Sequence, residues 1–323
     1  MSTKEKIIQL LEERKEIRGA DLADLLGISS RAVRKQLKNL LNKELIEKVG
    51  LPPRVYYRLK DTSNIVTKHE LLTKIAVQID NNFLTITPKG EIKKGADGFI
   101  FWCDQRNLDI GKTAINYIQT IKKYKSYKKN GLINGMSKFK QTFPKVYLDQ
   151  VFYIDFYSIE RFGKTKLGQL LLYAKQSQDK KLIKMVFEIV GPQIGSVISR
   201  YDIDATGFIP PTVKREVQFI KELEKYLSLD TKVLNIEKIK TNVIIPQKTL
   251  SKLQDRVINA KETFVIQGSQ RYKNILLIDD AIGSGATLNE IAKKIREKNL
   301  VSGKIIGLSL TGSFKGFDVI SEV

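Results

Sequence analysis

Cysteine and histidine are nearly absent from this chain, which has one of each in 323 residues. The lone Cys103 excludes an internal disulfide and a cysteine-based zinc ribbon. The lone His69 leaves little scope for metal ligation or for a catalytic triad. Both residues are therefore expected to be structural or surface residues.

Long apolar runs are missing as well. No segment approaches the roughly 18 uninterrupted apolar residues of a membrane helix, although the hydrophobic share of 42% is ordinary for a globular protein. The opening residues, M-S-T-K-E-K, lack the apolar centre of a signal peptide. We therefore expect a cytoplasmic protein, and the length allows two or three domains.

Acidic residues are scarce relative to basic ones. The chain has 56 Lys and Arg against 35 Asp and Glu, which gives a formal charge of +21. Such an excess favours a polyanionic partner, most simply nucleic acid. A genome that favours lysine and isoleucine could produce part of this excess without any function. The distribution of the charge along the chain therefore has to decide between a polyanionic partner and a compositional bias.

Residues 1–60 combine three predicted helices with two short strand patterns, the helices being indicated by apolar residues at helical spacing. Gly27 is expected to end the second helix, and Ser29 or Ser30 to cap the third. The predicted elements are helices over Lys4–Glu13, Ala20–Leu26 and Arg31–Leu41, and strands over Leu45–Val49 and Val55–Leu59. This order resembles a winged helix–turn–helix domain over the whole length of residues 1–60.

The third of these helices is purely basic, because no acidic residue lies between Leu25 and Lys43. The N-terminal part of a recognition helix enters the major groove, so this helix and the tip of the wing are the expected DNA contacts. The alternative is a winged helix that serves protein interaction. The candidate DNA-binding residues are Ser29, Ser30, Arg31, Arg34, Lys35, Lys38 and Arg54, with Lys38 nearer to phosphate.

A second informative stretch is Ile275–Thr287, I-L-L-I-D-D-A-I-G-S-G-A-T. Its four leading apolar residues predict a strand that is covered on both faces of a parallel sheet. Asp279 and Asp280 follow at the carboxyl end, where open α/β sheets bind ligands. The glycines and hydroxyls of Gly283–Thr287 then lead into a predicted helix, which suits a phosphate. The alternative is an ordinary strand–loop–helix junction whose glycines only form the turn.

This run resembles the phosphoribosyl-pyrophosphate (PRPP) signature of type I phosphoribosyltransferases. The resemblance implies that the two aspartates meet the ribose hydroxyls and that the loop wraps the 5′-phosphate. Mg²⁺ would be bound through PRPP, with the same two aspartates as its available protein contacts. The implied PRPP-binding residues are Asp279, Asp280, Ala281, Ile282, Gly283, Ser284, Gly285, Ala286 and Thr287.

Residues 61–156 give a weaker pattern and are interpreted as a basic linker or an intermediate module, with the start of the C-terminal domain as the alternative. A helix is predicted over Glu70–Ile79, and strands are predicted over Phe83–Thr87 and Gly98–Trp102. No catalytic residue can be identified in this segment.

Nine lysines and no acidic residue lie between Lys112 and Leu148, interleaved with Tyr124 and Tyr127. The stretch suits single-stranded nucleic acid, through phosphate neutralisation and base stacking. It equally suits the solvated side of a helix whose inward residues are Ile115, Ile118 and Ile121.

From about Tyr157 strands and helices alternate, which predicts a mainly parallel sheet. The predicted helices are Leu167–Lys175, Lys181–Ile198 and Lys214–Leu227, and the predicted strands are Asp202–Ile209, Lys232–Ile236, Thr263–Ile266, Asn274–Ile278 and Lys304–Leu310. The expected domains are therefore 1–60, 61–156 and 157–323. The expected fold class is α/β, with an N-terminal winged helix–turn–helix followed by a mainly parallel-sheet, phosphoribosyltransferase-type domain.

Residues 157–323 contain the run I-P-P-T-V-K-R and, further along, Gln247, Leu250, Arg256, Asn259 and Phe264. This pattern resembles the ComF-type branch of the phosphoribosyltransferases, which is linked to DNA uptake. ComF-type proteins usually begin with a four-cysteine zinc ribbon, whereas this chain has a winged helix in that place. The arrangement is similar to that of purine-operon repressors, in which a winged helix precedes a PRPP-sensing domain.

The pyrophosphate of PRPP requires a second basic loop, at the end of the first core strand. The resemblance places Lys214 and Arg215 there, with Lys252 and Arg256 in a segment that closes over the site. Each of these is equally a surface ion-pair residue. No base-recognition segment is visible, although Phe314 or Phe317 could stack on a base or pack the C-terminus.

Three functions stay open. The first is a DNA-binding regulator whose C-terminal domain binds PRPP or a nucleotide as effector. The second is an active phosphoribosyltransferase, in which a nitrogen nucleophile displaces pyrophosphate from PRPP. The third is a ComF-like factor that handles single-stranded DNA. We favour the regulator because the PRPP-like run lies behind a basic winged helix, and paired half-sites in DNA would favour a homodimer.

Overall fold

The computed structural model describes residues 3–43, 45–50, 54–60, 73–211, 215–239, 245 and 249–314. The chain divides into an N-terminal unit, residues 1–67, and a C-terminal unit, residues 68–323. Predictions that concern His69, Lys214, Gln247 and Phe317 lie outside the described residues.

The N-terminal unit contains helices and a three-stranded antiparallel sheet, in the strand order β1-β3-β2. Its described elements are α1 (Thr3–Arg14), β1 (Ile17–Arg18), α2 (Gly19–Leu26), α3 (Ser30–Asn42), β2 (Ile46–Val49) and β3 (Tyr56–Leu59). The predicted order of helix, helix–turn–helix and β-hairpin is confirmed, with β1 as an additional short strand.

Local chemistry explains the turn between α2 and α3. Gly27 ends α2 with a φ of 62°, a left-handed conformation that glycine adopts without steric cost. The Ser29 hydroxyl caps α3, because it accepts a hydrogen bond from the Ala32 N–H at 3.3 Å. Val33 and Leu37 face the core of the unit. Ser29, not Ser30, is therefore the cap.

The C-terminal unit alternates helices and strands. Its described helices are α4 (Thr73–Asn82), α5 (Gly95–Asp104), α6 (Ile110–Lys125), α7 (Met136–Thr142), α8 (Lys166–Ser177), α9 (Lys180–Tyr201), α10 (Phe219–Leu227), α11 (Leu253–Thr263) and α12 (Ala286–Glu297). Its described strands are β4 (Leu84–Ile86), β5 (Ile92–Lys94), β6 (Lys128–Lys129), β7 (Leu132–Asn134), β8 (Gln150–Phe156), β9 (Ser158–Ile159), β10 (Gly163–Lys164), β11 (Ala205–Phe208), β12 (Lys232–Val233), β13 (Ile236–Lys238), β14 (Phe264–Ile266), β15 (Ile275–Ile282) and β16 (Ile305–Gly312).

Seven of these strands form one sheet, in the order β12-β11-β15-β16-β8-β7-β6. The strands from β12 to β8 are parallel to one another, and β7 and β6 continue the sheet as antiparallel strands. The pairs β4–β5, β9–β10 and β13–β14 are separate antiparallel ribbons. The prediction of a mainly parallel sheet in an α/β unit is confirmed.

Strand β15 lies at the centre of this sheet, between β11 and β16. Ile275 and Leu277 pack into the core on one face, together with residues of α12. Leu276 and Ile278 pack into the core on the other face, with residues of α8, α9 and α10. The strand is thus buried on both sides, as its apolar run predicts.

The connections that follow β11 and β15 run in opposite directions along the strand order of the sheet. Helix α10 connects β11 to its outer neighbour β12 and packs on one face, whereas α12 connects β15 to β16 on the other face. The carboxyl ends of β11 and β15 therefore diverge at a topological switch point. In open α/β sheets this is the position of the ligand crevice.

The expected boundary near residue 157 does not coincide with a structural one. Strand β8 ends at Phe156 and pairs with β16 in the middle of the sheet. Residues 73–156 therefore belong to the C-terminal unit, and β6, β7 and β8 are part of its sheet. The nine lysines between Lys112 and Leu148 lie at exposed or half-exposed positions of this segment.

Several predicted elements are shifted or wrong. Gly98–Trp102 is helical, within α5, because Phe99 and Cys103 are buried at helical spacing and the Asp80 carboxylate accepts the Ala96 N–H at 2.8 Å near the helix start. The helix predicted from Lys214 begins at Phe219. The strand predicted over Lys232–Ile236 is divided between β12 and β13, and β14 pairs with β13 outside the main sheet.

Helix α9 and Cys103 bear on two sequence expectations, that the chain has no membrane helix and that its cysteine is structural. Helix α9 is long and apolar enough to cross a membrane by length and composition, but its side chains at Val186, Val190 and Ile194 are completely buried in the core of the unit. The thiol of Cys103 is also completely buried, and burial raises its pKa to about 12. A protonated, inaccessible thiol fits the predicted structural role.

Candidate ligand site and candidate DNA interface

Asp279 and Asp280 lie near the carboxyl end of β15, at the crevice defined above. They belong to the strand itself, because β15 continues to Ile282. The Asp280 N–H donates a hydrogen bond to Asp279 Oδ1 at 2.8 Å, and the Asp280 carbonyl accepts one from the Thr311 hydroxyl at 3.4 Å. The strand backbone therefore holds both carboxylates at the carboxyl end of the parallel strands.

The Asp279 carboxyl has an altered proton affinity. Burial is the main cause, the adjacent Asp280 charge adds to it, and together they raise the pKa of Asp279 above its ordinary value. Lys175 and the backbone N–H groups of Asp280 and Ala281 act in the opposite direction. Carboxyl groups with perturbed pKa values are concentrated at functional sites.

Lys175 is a residue at this crevice that the sequence did not single out. Its Nζ lies 2.8 Å from Asp280 Oδ2, and the two side chains are 22% and 18% exposed. Lys175 belongs to the last turn of α8, which is distant from β15 in the chain. No sequence pattern connects the two residues, because only the packing of α8 on the sheet brings them together.

The loop after β15 is shaped by Gly285, which directly precedes α12. Gly285 has a φ of 79°, and a Cβ at this position would lie 2.4 Å from Phe139 Cζ. Ser284 is buried, and its hydroxyl accepts the Ala286 N–H at 3.3 Å. The loop thus packs tightly against α7, and the first-turn N–H groups of α12 have no partner within their own helix.

Asn289 anchors the first turns of α12. Its side-chain oxygen accepts the Tyr147 N–H at 2.9 Å, and its side-chain nitrogen donates to the Lys145 carbonyl at 3.0 Å. Asn289 is buried, so these two hydrogen bonds fix the helix against the segment before β8. A helix N-terminus that is held in this way can bind an anion without rearrangement.

The predicted pyrophosphate residues have different surroundings. The Arg215 guanidinium donates to the Lys175 carbonyl, which places Arg215 beside the crevice. Lys252 is exposed and precedes α11. Arg256 is buried, and its Nε donates to the Leu250 carbonyl at 2.7 Å. The described contacts therefore link Arg215 to the aspartate pair, whereas Arg256 holds the start of α11 in place.

A divalent cation fits the site only with help from a ligand. Within the described residues no group of three or more His, Cys, Asp or Glu side chains could enclose a metal ion. Mg²⁺ is commonly bound by one or two carboxylates together with the phosphates of a substrate. Asp279 and Asp280 could supply that carboxylate share.

Part of the lysine-rich stretch is engaged in contacts within the protein. Lys123 pairs with Glu160 at 3.0 Å, and Lys128 pairs with Asp155 at 3.1 Å. Tyr124 is buried, and its hydroxyl accepts the Glu160 N–H at 3.2 Å. Base stacking on Tyr124 is therefore excluded in this conformation, while Tyr127 is 46% exposed.

The helix face expected in this stretch is also shifted. Ile115 is 48% exposed, so the prediction that it points inward is wrong, whereas Ile118 and Ile121 pack against the core. Phe314 contacts the rings of Tyr124, Tyr127 and Phe156, with ring centroids 4.7, 5.3 and 5.5 Å away. These contacts favour the packing role that was one of its two predicted roles.

The candidate DNA interface is the basic side of α3. A shallow concave surface is lined by Ser29, Arg31, Ala32, Arg34, Lys35 and Lys38, so it gathers the predicted recognition-helix residues except Ser30. The buried stripe of α3 faces the opposite way, into the core. Arg54 is exposed near the start of β3.

An ion-pair network supports the hairpin beside this helix. Arg58 on β3 lies 2.7 Å from Glu47 on β2 and 3.1 Å from Glu16 between α1 and β1. Together with the pairing of β1 to β3, this network fixes the hairpin to the helices. The ion pairs and the strand pairing therefore hold the β2–β3 hairpin in a fixed position beside α3.

Comparison with known proteins supports one part of this description. No curated protein sequence matches the chain. Residues 3–58 match the family model described as an HTH domain, a range that covers α1 to nearly the end of β3. The N-terminal unit is therefore a helix–turn–helix domain, which supports DNA as a partner and a DNA-binding regulator as the class of protein.

Proposed function

We propose that this protein is a DNA-binding regulator whose C-terminal unit binds PRPP, or a nucleotide with the same ribose 5-phosphate, as its effector. The observation that carries the proposal is one end of the sheet with two complementary halves. An aspartate pair lies at the carboxyl end of the central strand, and a glycine-shaped helix start follows it directly.

The two halves suit the two ends of a phosphorylated ribose. Carboxylate oxygens accept hydrogen bonds from vicinal hydroxyls, and backbone N–H groups at a helix start bind phosphate. The helix start is held by Asn289 and by the contact of Gly285 with Phe139, so the loop is preorganised. When bound with PRPP, Mg²⁺ would neutralise part of the phosphate charge beside the aspartates.

The DNA-binding half of the proposal rests on α3. Its exposed face is basic, and the family match covers the complete helix–turn–helix. Neutralisation of phosphates by such a face produces affinity that falls steeply with salt. An effector changes DNA affinity if it binds the conformation with high DNA affinity and the conformation with low DNA affinity unequally. By thermodynamic linkage, DNA then changes effector affinity by the same factor.

The test is a titration of PRPP–Mg²⁺ into full-length protein, with the heat of binding and the affinity for a fluorescent duplex measured on the same samples. The duplex has random sequence and room for two half-sites one helical turn apart. We expect saturable heat and a change in duplex affinity of about 5-fold or more, the low end of allosteric coupling.

Asp280→Asn is the matched variant, because it removes the charge of one ribose-facing carboxylate and keeps its size. We expect it to lose both the heat and the PRPP effect on DNA while basal duplex binding stays the same. Heat with an unchanged duplex affinity would refute the regulatory role. Release of pyrophosphate with a nucleobase or an amine would show that the unit is an enzyme.

A further inference from the structure

The ion pair between Lys175 and Asp280 is a contact at the crevice that neither the motif nor the helix–turn–helix match explains. We propose that Lys175 is a ligand-contacting residue that selects ribose phosphates carrying an anionic group on C1, such as the diphosphate of PRPP. The proposal rests on the proposed function, because it concerns the same crevice.

The position of Lys175 carries the argument. Its ammonium group lies 2.8 Å from Asp280, one of the two carboxylates assigned to the ribose hydroxyls. A cation that contacts this carboxylate lies on the ribose side of the crevice, not on the side of the 5′-phosphate loop. An anionic group on C1 of the ribose is therefore the nearest ligand charge that Lys175 can meet.

The segment after β11 approaches the same point. The Arg215 guanidinium donates to the carbonyl of Lys175, and the Val217 N–H donates to Gln178 Oε1 at 2.7 Å. These contacts hold residues 215–217 against the end of α8. Lys175 thus contacts both Asp280 and Arg215, one of the residues predicted to bind pyrophosphate.

The electrostatics of the pair are consistent with ligand binding. Taking an ammonium and a carboxylate partly out of water costs free energy, and such a pair does little for stability compared with apolar packing. In this crevice the ion pair with Asp280 positions the flexible Lys175 side chain before the ligand binds. A ligand with a diphosphate on C1 then gains a charge-assisted hydrogen bond that ribose 5-phosphate does not.

The test compares PRPP–Mg²⁺ with ribose 5-phosphate plus Mg²⁺ by calorimetry on full-length protein. The variants are Lys175→Gln, which removes the charge, and Lys175→Arg, which keeps it. We expect Lys175→Gln to weaken PRPP binding about 10- to 100-fold, the size of one charge-assisted hydrogen bond, and to change ribose 5-phosphate binding less than about 3-fold. Lys175→Arg should keep most of the preference for PRPP.

Lys181→Gln is the matched control, because Lys181 is an exposed lysine on the neighbouring helix α9. Trp102, the single tryptophan, lies in the C-terminal unit, so its fluorescence checks that each variant is folded. Equal losses for both ligands would overturn the proposal, because Lys175 would then act only through Asp280. Tighter PRPP binding in Lys175→Gln would overturn it as well, since Lys175 would then compete with the ligand.

The two proposals fail in different ways. If the wild-type protein binds neither ligand, the proposal of PRPP as effector is wrong and the role of Lys175 falls with it. If the wild type binds PRPP and Lys175→Gln keeps the same preference, only the role of Lys175 is wrong.

Discussion

Replacement of Gly285 by alanine tests whether the loop before α12 has the shape on which the candidate site depends. Gly285 has a φ of 79°, and a left-handed conformation costs a residue with a Cβ about 1–2 kcal/mol. The new Cβ would also lie 2.4 Å from Phe139 Cζ, closer than any real contact. Phe139 is completely buried and packs on Phe143, so its ring cannot move freely.

Relief of such a contact in a packed core costs about 1–3 kcal/mol. The two contributions together predict that Gly285→Ala destabilises the C-terminal unit by about 2–5 kcal/mol. The assay is urea unfolding followed by tryptophan fluorescence. Because Trp102 is the only tryptophan, the signal reports the C-terminal unit alone. The same variant should lose PRPP binding under conditions in which it is still folded.

Gly195→Ala is the matched control. Gly195 lies inside α9, and a Cβ there would meet no atom within 4 Å. An alanine in this helix should stabilise the unit by about 0.5–1 kcal/mol. If Gly285→Ala unfolds at the wild-type urea concentration, the loop does not require glycine and the argument for a preorganised phosphate site is refuted.

Three further predictions concern other parts of the molecule. The raised pKa of Asp279 means that the native unit retains a proton that the unfolded chain releases, so stability falls as pH rises from the ordinary carboxyl range through the native pKa. Asp279→Asn should remove this fall, and equal slopes of urea midpoint against pH for both proteins would contradict it. Asn289→Ala should cost about 1–3 kcal/mol in the same unfolding assay, because it removes the buried side chain that binds the Tyr147 N–H and the Lys145 carbonyl, and a neutral result would contradict the anchoring role. Lys38→Ala should lower the slope of duplex affinity against salt by about 1, whereas Lys6→Ala on α1 should not, and an unchanged slope would exclude a phosphate contact by Lys38.

The N-terminal unit could be predicted almost completely from the sequence. Its signals are local, since helix spacing, the glycine at position 27 and the serine cap each act within a few residues. The same holds for β15, whose unbroken apolar run already required burial on both faces. Patterns of this kind are readable because the backbone responds to its nearest neighbours in sequence.

The middle of the chain could not be predicted in the same way. Gly98–Trp102 has the composition of a strand, but the helix α5 buries Phe99 and Cys103 against neighbouring helices. Tyr124 reads as an exposed stacking residue among lysines, and the fold buries it instead. Tertiary packing outweighs local preference at such positions, because the burial of large side chains stabilises more than intrinsic propensity does.

The sequence by itself determined the helix–turn–helix, its basic helix, the central strand and the order of aspartates, glycines and helix that follows it. Only the tertiary structure decided that β11 and β15 diverge at this point, that Phe139 closes against Gly285, and that Lys175 meets Asp280. The physical reason is the separation of these partners along the chain. Contacts between distant segments depend on how helices pack on the sheet, and no local pattern in the sequence records that packing.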